Sequence, residues 1–510
     1  MADTVREIER KYEYAGDAGA GGGAARLPDL TGAAGIASVT DEGIVELDAV
    51  YYDTADHRLA AAGITLRRRT GGSDAGWHLK LPVAPGVRDE IRAPLGARVP
   101  RALASLVRVH TRDAALVPLM RLLSRRDVRH LLAADGTLLA EASTDTVTAT
   151  RLDVHDRTAA WTEAEVELAP GADPAFLDAL EPALLAAGLR PSDAPSKLAR
   201  ALRTTGLDTG TPAGPAPAPA PGATAGEHVL AHLRRQAEAL AAHDPGARRG
   251  TEDAVHQMRV ATRRLRSAFR TYAKVLDRAA TDPLARELQW LATELGVERD
   301  REVLTARLRE AVAALPRPLV HGPVRARLRT SAGTDRSRAR RHVTTVLDGK
   351  RYLALLESLD ALLADPPLRR AAGRPAGEVL GRAVLRDCAR LAVRVEHALA
   401  TPPGPARDTA LHDARKAAKR ARYGAEAAVP ALGKPAKRLA ARLKEVQTVL
   451  GDHQDGVLAR DALRRLAALA AAAGEPTFTY GVLYGREEQR AAEAERALPE
   501  AWAKVSAAAL

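Results

Sequence analysis

Aromatic residues and cysteine are scarce in this chain of 510 residues. Phe, Trp and Tyr together make up 3% of it, which argues against a surface built to stack single-stranded bases. The lone cysteine, Cys388, excludes an internal disulfide and fits a reducing compartment. No apolar run approaches the length of a membrane span, and the first residues are charged, unlike those of a signal peptide. We therefore expect a cytoplasmic protein with no membrane partner.

Acidic residues are fewer than basic ones: 64 Asp and Glu against 76 Lys and Arg. The formal net charge is +12 and the pI is about 10.0, which predicts a polyanionic partner without identifying it. We do not expect that partner to be a nucleic acid, because no recognisable reading motif accompanies the charge. The length allows about two to four domains, each with its own core.

A Pro/Ala/Gly segment marks the clearest domain boundary. Residues 209–226 (TGTPAGPAPAPAPGATAG) cannot bury a core and favour extended conformations. We predict a first domain at residues 1–205, a linker at 206–226 and a helical domain at 227–505. A second Gly/Ala run, residues 16–25, is not followed by Gly-Lys-Ser/Thr, so we interpret it as a flexible connection and not a phosphate loop.

Residues 7–11 (EIERK) have the pattern of a strand with one charged face. Because side chains alternate along a strand, Glu7, Glu9 and Lys11 share one face. Ile8 and Arg10 take the other. Unpaired charges are too costly to bury against an apolar core. In isolation such a face is usually solvated, but later strands repeat the alternation, which favours a face shared with other charges and a ligand.

The first 200 residues contain further segments of this kind. Strands are predicted at residues 46–54, 65–69, 77–81, 87–92, 125–131, 138–147 and 161–168, with helices at 101–123 and 174–187. Their charged faces carry Arg67 and Arg69; Lys80; Arg88, Glu90 and Arg92; Glu141 and Asp145; and Glu163, Glu165 and Glu167. The pattern predicts an α+β domain around an antiparallel barrel of about eight strands, with a charged interior and helices outside. Such a lumen would hold a divalent cation through carboxylates and phosphate oxygens through Arg and Lys.

Six motifs in this order resemble the CYTH domain, the family of triphosphate tunnel metalloenzymes. They are E-x-E-x-K from residue 7, YYDT from 51, LRRR from 66, W-x-L-K from 77, E-x-E from 165 and Ser-Lys from 196. The resemblance covers residues 1–205 and implies a tunnel of eight strands that binds a triphosphate group with one or two Mg²⁺ or Mn²⁺ ions. The family includes inorganic triphosphatases, thiamine triphosphatases and one class of adenylate cyclases.

The resemblance also implies roles for particular residues. Metal ligands and water-positioning groups fall on Glu7, Glu9, Asp145, Glu165 and Glu167. Phosphate ligands fall on Lys11, Arg67, Arg69, Lys80, Arg88 and Lys197, and on either Arg125 or Arg126. That last choice is open, because a shift of one residue moves a strand side chain to the other face. The catalytic set implied is Glu7, Glu9, Lys11, Glu165 and Glu167.

After the linker the pattern is helical, and it contains an internal repeat. The segment His256-x-x-Arg259-x-x-x-Arg263-Arg264-x-Arg266 recurs as His412-x-x-Arg415-x-x-x-Lys419-Arg420-x-Arg422. Farther on, Leu295-Gly296-x-x-Arg299-Asp300 recurs as Leu450-Gly451-x-x-Gln454-Asp455. Two copies of one unit, at about 227–375 and 376–505, therefore make up this half, each with room for about four helices.

The basic residues of each copy form one helix face, since they recur at i, i+3, i+7 and i+10. The opposite stripe is apolar and is expected to be core: Met258, Ala261, Leu265 and Phe269. A basic stripe is ordinarily a solvated face, and a shared packing need could also cause the repetition. The duplication of a histidine with four cations nevertheless favours a binding site, where Asp300 and Asp455 would neutralise and orient some of the cations.

This half resembles the CHAD domain, a helical module of two pseudo-symmetric four-helix bundles. The match lies in the two His/Arg/Lys helices and the two LG-x-x-[RQ]-D segments. The resemblance implies a basic groove for inorganic polyphosphate, lined by His256, Arg259, Arg263, Arg264, Arg266, His412, Arg415, Lys416, Lys419, Arg420 and Arg422. The basic run at residues 325–341 would either line the same surface or form a solvated face.

The sequence thus predicts hydrolysis of inorganic triphosphate in the tunnel, with Mg²⁺ or Mn²⁺, and polyphosphate binding by the helical half. One alternative is a thiamine triphosphatase or adenylate cyclase using the same charges, which would need a pocket for thiamine or adenine. Another is a non-catalytic protein of polyphosphate granules. Loss of the E-x-E pairs would favour this non-catalytic alternative, but both pairs are present.

Overall fold

The computed structural model describes residues 3–14, 26–154, 157–207, 219–220, 222–333 and 336–506, without the side chains of 297–300, 302, 330–333 and 336–337. The connection predicted at residues 16–25 and most of the linker lie outside the described residues, as do the side chains of Arg299 and Asp300. The chain divides into two compact units, residues 1–214 and 215–510.

The first unit is built on a closed ring of eight antiparallel strands, as the sequence predicts. The strands are β1 (Asp3–Tyr14), β2 (Ser38–Asp53), β3 (Thr65–Thr70), β4 (Gly76–Ala84), β5 (Val87–Pro94), β6 (Val117–Leu132), β7 (Leu138–Arg151), β8 (Thr158–Leu168) and β9 (Leu189–Pro191). Their order is β5-β4-β3-β2-β6-β7-β8-β1-β9, and a further β5–β1 pairing closes the ring. Only the short β9 lies outside it, paired with the end of β1.

Helices cover the outside of the ring, where the strands present their apolar side chains. They are α1 (Arg58–Ala61), α2 (Arg101–Thr111), α3 (Ala175–Ala186) and α4 (Lys197–Thr204), with a 3₁₀ turn at Ala33–Gly35. Tyr12 of β1 and Val166 of β8 pack against Leu180 of α3 in one such cluster. Because strand side chains alternate, this outward apolar packing turns the charged faces into the lumen.

The prediction of a helix at residues 101–123 is wrong for the second half of that segment. Helix α2 ends at Thr111, next to Arg112 with a φ of 57°, and β6 begins at Val117. Leu, Met and Arg favour helices in isolation, but residues 117–132 pair along the whole length of β2. Leu119 and Leu122 are buried beneath Leu198 of α4. Tertiary pairing therefore overrides local propensity here.

The second unit is helical throughout. Its helices are α5 (Ala225–Arg249), α6 (Ala254–Thr271), α7 (Arg278–Glu294), α8 (Gly296–Ala313), α9 (Val324–Gly333), α10 (Arg336–Asp348), α11 (Lys350–Ala364), α12 (Ala376–Ala400), α13 (Pro405–Leu432), α14 (Lys434–Ala472) and α15 (Phe478–Ser506). Short 3₁₀ turns lie at Arg317–Leu319 and Arg370–Gly373. No helix in the described part of the chain is long and apolar enough to cross a membrane.

The two repeats differ in how their helices are divided. The second repeat has four helices of 25 to 39 residues, α12 to α15, whereas the described part of the first repeat has seven helices of 10 to 25 residues, α5 to α11. The single helix α14 corresponds to α7 and α8 together, because Leu450-Gly451 lies within α14 while Leu295-Gly296 lies at the junction of α7 and α8. The two repeats thus share the spacing of their motif residues, but their helices begin and end at different places.

The two repeated glycines give room for two repeated arginines. A Cβ at Gly296 would lie 3.0 Å from Nη2 of Arg259, and one at Gly451 would lie 3.5 Å from Nη2 of Arg415. Each guanidinium therefore passes close to the backbone of the neighbouring helix. This close approach explains why the LG segment and the basic helix recur together.

Candidate functional site

The lumen of the ring contains a cavity of about 420 Å³. Most of the residues implied by the tunnel resemblance line it: Glu7, Glu9, Lys11, Arg67, Arg69, Lys80, Arg88, Arg126, Glu165, Glu167 and Lys197. They come from β1, β3, β4, β5, β6, β8 and the first residue of α4. The alternation of each strand explains how residues this far apart in sequence meet in one lumen.

Four carboxylates converge where β1 lies beside β8. Glu9 is directly opposite Glu167, and Lys11 is opposite Glu165. Burial, together with the charges of Glu7, Glu9 and Glu165, raises the pKa of Glu167 to about 7 although Lys80 opposes it. No side-chain hydrogen bond reaches Glu167 among the described residues. This crowding of oxygen ligands fits a hard divalent cation, which would neutralise the repulsion.

Lysines hold two other carboxylates of this group, Glu9 and Glu165, in their charged form. Lys11 forms an ion pair with Glu165 and lies 3.1 Å from Glu9. Burial disfavours the charge on Glu9, but Lys11 and Lys80 outweigh it and hold the pKa of Glu9 at about 2. Lys80 lies 2.6 Å from Glu7, yet burial still raises the pKa of Glu7. Two carboxylates of the group are thus poorly compensated within the described residues.

Arginines also line the cavity. Arg67 donates to the hydroxyl of Tyr51 at 3.3 Å and lies 3.8 Å from Glu90. Arg69 is paired with Asp74, but burial and the charge of Arg67 lower its pKa to about 10. Two neighbouring guanidinium groups, of which Arg69 is incompletely compensated, favour binding of an anion.

The two neighbouring arginines of β6 lie on opposite faces, which answers the question left open by the sequence. Arg126 donates to both oxygens of Asp145 at 2.9 Å and to Glu165 at 2.8 Å. Arg125 is exposed, and its one ion-pair partner among the described residues is Glu46, at 3.9 Å. The inclusion of Arg125 among the phosphate-binding candidates is therefore wrong, and Arg126 is the residue inside the tunnel.

Asp145 lies deeper than the other predicted metal ligands and is held in place by Lys197 and Arg126. The Asp145 side chain is fully buried and, besides accepting from Arg126, lies 3.1 Å from Nζ of Lys197. Asp145 is absent from the described lining of the cavity, so it would have to exchange these bonds to ligate a metal. Lys197 is also paired with Glu165. Arg88, in turn, donates to the carbonyl of Pro195 at 2.5 Å, which ties β5 to the segment before α4.

Glu90, His78 and Tyr51 were not among the predicted site residues, although the sequence placed Glu90 on a charged strand face. Glu90 lines the cavity, is 1% exposed and lies 2.9 Å from Nδ1 of His78. Hydrogen bonding from His78 and the charges of Lys80 and Arg67 outweigh its burial and lower the pKa of Glu90. Tyr51 also lines the cavity. The alternation of Arg88 and Glu90 contained the signal for Glu90, and the YYDT motif contained Tyr51, whereas nothing local marks His78.

The helical unit has a cavity of about 770 Å³ among α6, α12 and α13. Basic side chains dominate its charged lining: Arg263, Arg266, Arg270, Arg390, Arg394, Lys416, Lys419 and Arg420, with Asp387 and Asp413. Five of these cations were predicted from the repeat. Arg270 was missed although it lies one turn beyond Arg266, and Arg390 and Arg394 were missed because they lie on a helix outside the repeated motif.

The other predicted residues of the basic groove are absent from the described lining of this cavity. Burial and the nearby charges of Arg415, Arg263 and Arg259 lower the pKa of Lys419, so cations of α6 and α13 lie close to one another. His412 pairs with Gln454 at 2.6 Å, and Arg415 lies 3.9 Å from Asp455. Arg264 and Arg422 instead bond Glu426, at 3.1 and 3.5 Å, and lie over Tyr423. His256 lies on the same helix, α6, as Arg259.

Comparison with known proteins assigns both halves to families. A CYTH domain model matches residues 6–202, and a CHAD domain model matches residues 231–464. Two uncharacterized proteins of Mycobacterium tuberculosis, MT2285 of strain CDC 1551 and Rv2226 of strain H37Rv, are 37% identical to this chain over 517 residues. The alignment covers 98% of this chain and 96% of each relative. The chain therefore belongs to the proteins in which a CYTH domain is followed by a CHAD domain.

Three solved structures are similar to part of this chain. PptA from Streptomyces chartreusis is 22% identical, with a TM-score of 0.46, over 55% of this chain and all of its own. The CHAD domain from the plant Ricinus communis is 25% identical, with a TM-score of 0.45, over 56% of this chain and 94% of its own. A third structure is the putative adenylyl cyclase HpAC1 from Hippeastrum, which is described as having a dominant triphosphatase activity. It is 16% identical to this chain, with a TM-score of 0.24, over 40% of this chain and 98% of its own.

Proposed function

We propose that the tunnel hydrolyses inorganic triphosphate with Mg²⁺ or Mn²⁺ and that the helical unit binds inorganic polyphosphate. The observation that carries the first part is the mixture of carboxylates and cations in one small lumen. Carboxylates of β1 and β8 line it together with cations of β1, β3, β4, β5, β6 and α4, and several of them form ion pairs, such as Lys80 with Glu7 and Lys11 with Glu165. Such a lumen suits a substrate that is itself a polyanion with bound metal.

The lining favours inorganic triphosphate over a nucleotide or thiamine compound. Tyr51 is the sole aromatic side chain among the described residues that line the cavity. Its ring is 3% exposed and its hydroxyl accepts from Arg67. It therefore offers no free face on which adenine or thiamine could stack. A phosphate chain needs no such surface.

In the proposed reaction, the carboxylates and the cations have different roles. Glu7, Glu9, Glu165 and Glu167 would hold the metal ion, which when bound supplies a hydroxide at neutral pH and neutralises phosphate oxygens. Arg67, Arg69 and Arg126 bind and orient the phosphate chain. Because their positions are fixed before the substrate enters, they stabilise charge on the transferring phosphoryl group without reorganisation. Asp145 keeps Arg126 in place.

Glu167→Gln tests this proposal in the full-length protein. Gln retains the shape of the side chain but removes the charge that a metal needs, so phosphate release from tripolyphosphate should fall about 100-fold. The fold should tolerate the change, since Glu167 lies among like charges. Glu46→Gln, on the exposed edge beside Arg125, is the matched control and should keep full activity. Activity that survives both Glu167→Gln and EDTA would contradict a metal-dependent triphosphatase.

For the helical unit, the supporting observation is the cavity among α6, α12 and α13 with its excess of cations. Two repeats contribute to it, and its described lining has eight basic side chains against two carboxylates. Polyphosphate offers successive charges that can meet these cations one after another. Affinity should accordingly fall as salt rises. The pH test of Lys419 given in the Discussion examines this half of the proposal.

A further inference from the structure

A mixed cluster of metal-ligating groups lies in the second repeat, outside both sites described above. Asp408 of α13, His453 of α14 and Glu495 of α15 bring one ligand atom each within 4.8 Å of one another. Nε2 of His453 is 3.3 Å from Oδ1 of Asp408 and 3.2 Å from Oε1 of Glu495. Three atoms bound to one metal ion at about 2.0–2.2 Å would be separated by about these distances.

Two arginines hold the outer oxygens of the same carboxylates. Arg407 donates to Oε2 of Glu495 at 2.9 Å, and Arg460 donates to Oδ2 of Asp408 at 3.5 Å. The inner oxygens, Oε1 and Oδ1, are thereby turned toward His453. Partners of this kind orient metal ligands in known sites. They also offset the two negative charges, which disfavours a purely electrostatic site for Mg²⁺ or Ca²⁺.

The burial of the three groups differs in a way that leaves one side open. The side chain of His453 is 2% exposed, whereas those of Asp408 and Glu495 are 29% and 25% exposed. A metal ion at their meeting point would thus be held from beneath by the imidazole. It would keep at least one position for water or a phosphate oxygen.

The cluster is particular to the second repeat. By the offsets of the basic helices and LG segments, Asp408 corresponds to Glu252 and His453 corresponds to Glu298. The first repeat therefore lacks the imidazole in its sequence. A packing requirement shared by the two repeats would be expected to preserve the same residue, so the histidine calls for a local explanation.

We propose that Asp408, His453 and Glu495 bind one divalent transition-metal ion of the Zn²⁺ type. One imidazole nitrogen and two carboxylate oxygens form a ligand set that such ions accept and that Mg²⁺ or Ca²⁺ seldom uses. The ion would join α13, α14 and α15 at one point. The alternative is a protonated His453 shared between two carboxylates, and the test below separates the two.

Zn²⁺ titration of the full-length protein by calorimetry tests the site. The tunnel carboxylates are unchanged in the variants of the cluster and in their control, so differences among these proteins report on the cluster alone. His453→Gln should weaken one Zn²⁺ site by about tenfold or more. His342→Gln is the matched control, because His342 pairs with a single carboxylate, Glu294, at 3.1 Å. It should leave Zn²⁺ binding unchanged.

Two further variants keep the result decisive. Glu495→Gln leaves the buried imidazole in place and should weaken the same Zn²⁺ site even if His453→Gln misfolds. Glu9→Gln should reduce the tunnel component only. The proposal is overturned if His453→Gln and Glu495→Gln bind Zn²⁺ as the wild type does, or if Glu9→Gln removes all Zn²⁺ binding. A lower melting temperature in His453→Gln with unchanged Zn²⁺ binding would assign the cluster to a protonated histidine bridge.

Discussion

At the scale of single residues, Arg125 and Arg126 form a natural matched pair. They are adjacent on β6, but only Arg126 bonds Asp145 and Glu165 in the lumen. Arg126→Ala should lower kcat/KM for tripolyphosphate about 100-fold, because it removes a preorganised cation from the site of reaction. Arg125→Ala should change kcat/KM less than about twofold. Steady-state phosphate release measures both.

Arg126→Lys refines that comparison. Lysine keeps the charge but cannot bond both oxygens of Asp145 at once, so it should restore activity only in part. Equal loss in the Arg125 and Arg126 variants would mean that the face of β6 is assigned incorrectly.

If the cavity among α6, α12 and α13 binds a polyanion as proposed, Lys419 should make that binding depend on pH. Its burial, with the charges of Arg415, Arg263 and Arg259, lowers the pKa of Lys419 to about 7, although Asp455 opposes this shift. The ammonium is therefore charged below pH 7 and is lost as the pH rises above it. A bound polyanion favours the charged form, so binding should take up a proton.

The affinity for long polyphosphate should consequently fall between pH 7 and pH 9 at constant salt. Lys419→Arg keeps the charge at all of these pH values, so that variant should show a weaker dependence. Comparing the two proteins by calorimetry removes contributions from the tunnel and from the ligand, which are the same in both. Parallel pH profiles would show that Lys419 does not meet the polyanion in its charged form.

At the scale of helices, Asp387 joins three elements. This α12 carboxylate is 2% exposed and accepts from Thr271 of α6 at 2.5 Å and from Arg420 of α13 at 3.1 Å. Tyr272, which directly follows α6, also donates to the carbonyl of Gly424 at 2.7 Å. The two repeated basic helices are therefore fixed to each other by buried polar bonds.

Asp387→Ala should destabilise the helical unit by about 3 kcal/mol, because it leaves Arg420 without its buried partner. Asp413→Ala is the control from the same cavity. Asp413 is a half-exposed partner of Lys416 at 3.1 Å, so its loss should cost less than about 1 kcal/mol. Denaturant unfolding followed by circular dichroism measures both variants. Similar midpoints would contradict a structural role for Asp387.

The elements differ in how far the sequence could predict them. Alternation at period two placed Glu165 and Glu167 on one strand face, and the pairing of β1 with β8 and β5 made that face a lumen. The strand at residues 117–123 was not predictable from propensity, because long-range pairing with β2 decides it. His78 and the breaks within the first repeat likewise depend on tertiary contacts that leave no periodic signal.

At the scale of the whole molecule, the excess of basic residues is used in two different ways. In the tunnel, cations such as Lys80 and Arg126 are balanced by carboxylates, so the lumen holds both signs. In the cavity among α6, α12 and α13, cations outnumber the acids. The first arrangement suits a metal-bound triphosphate, and the second suits a longer polyanion. The net charge of the chain does not by itself reveal either arrangement.

The central claim is that the tunnel cleaves a phosphoanhydride of inorganic triphosphate. The most direct measurement is ³¹P NMR of the full-length protein with tripolyphosphate, ATP, thiamine triphosphate and long polyphosphate, each with Mg²⁺ and with Mn²⁺. We predict orthophosphate and pyrophosphate from tripolyphosphate, at a higher rate than from the organic triphosphates, and no reaction after addition of EDTA. Cyclic nucleotide from ATP, or intact tripolyphosphate under both metals, would contradict the account.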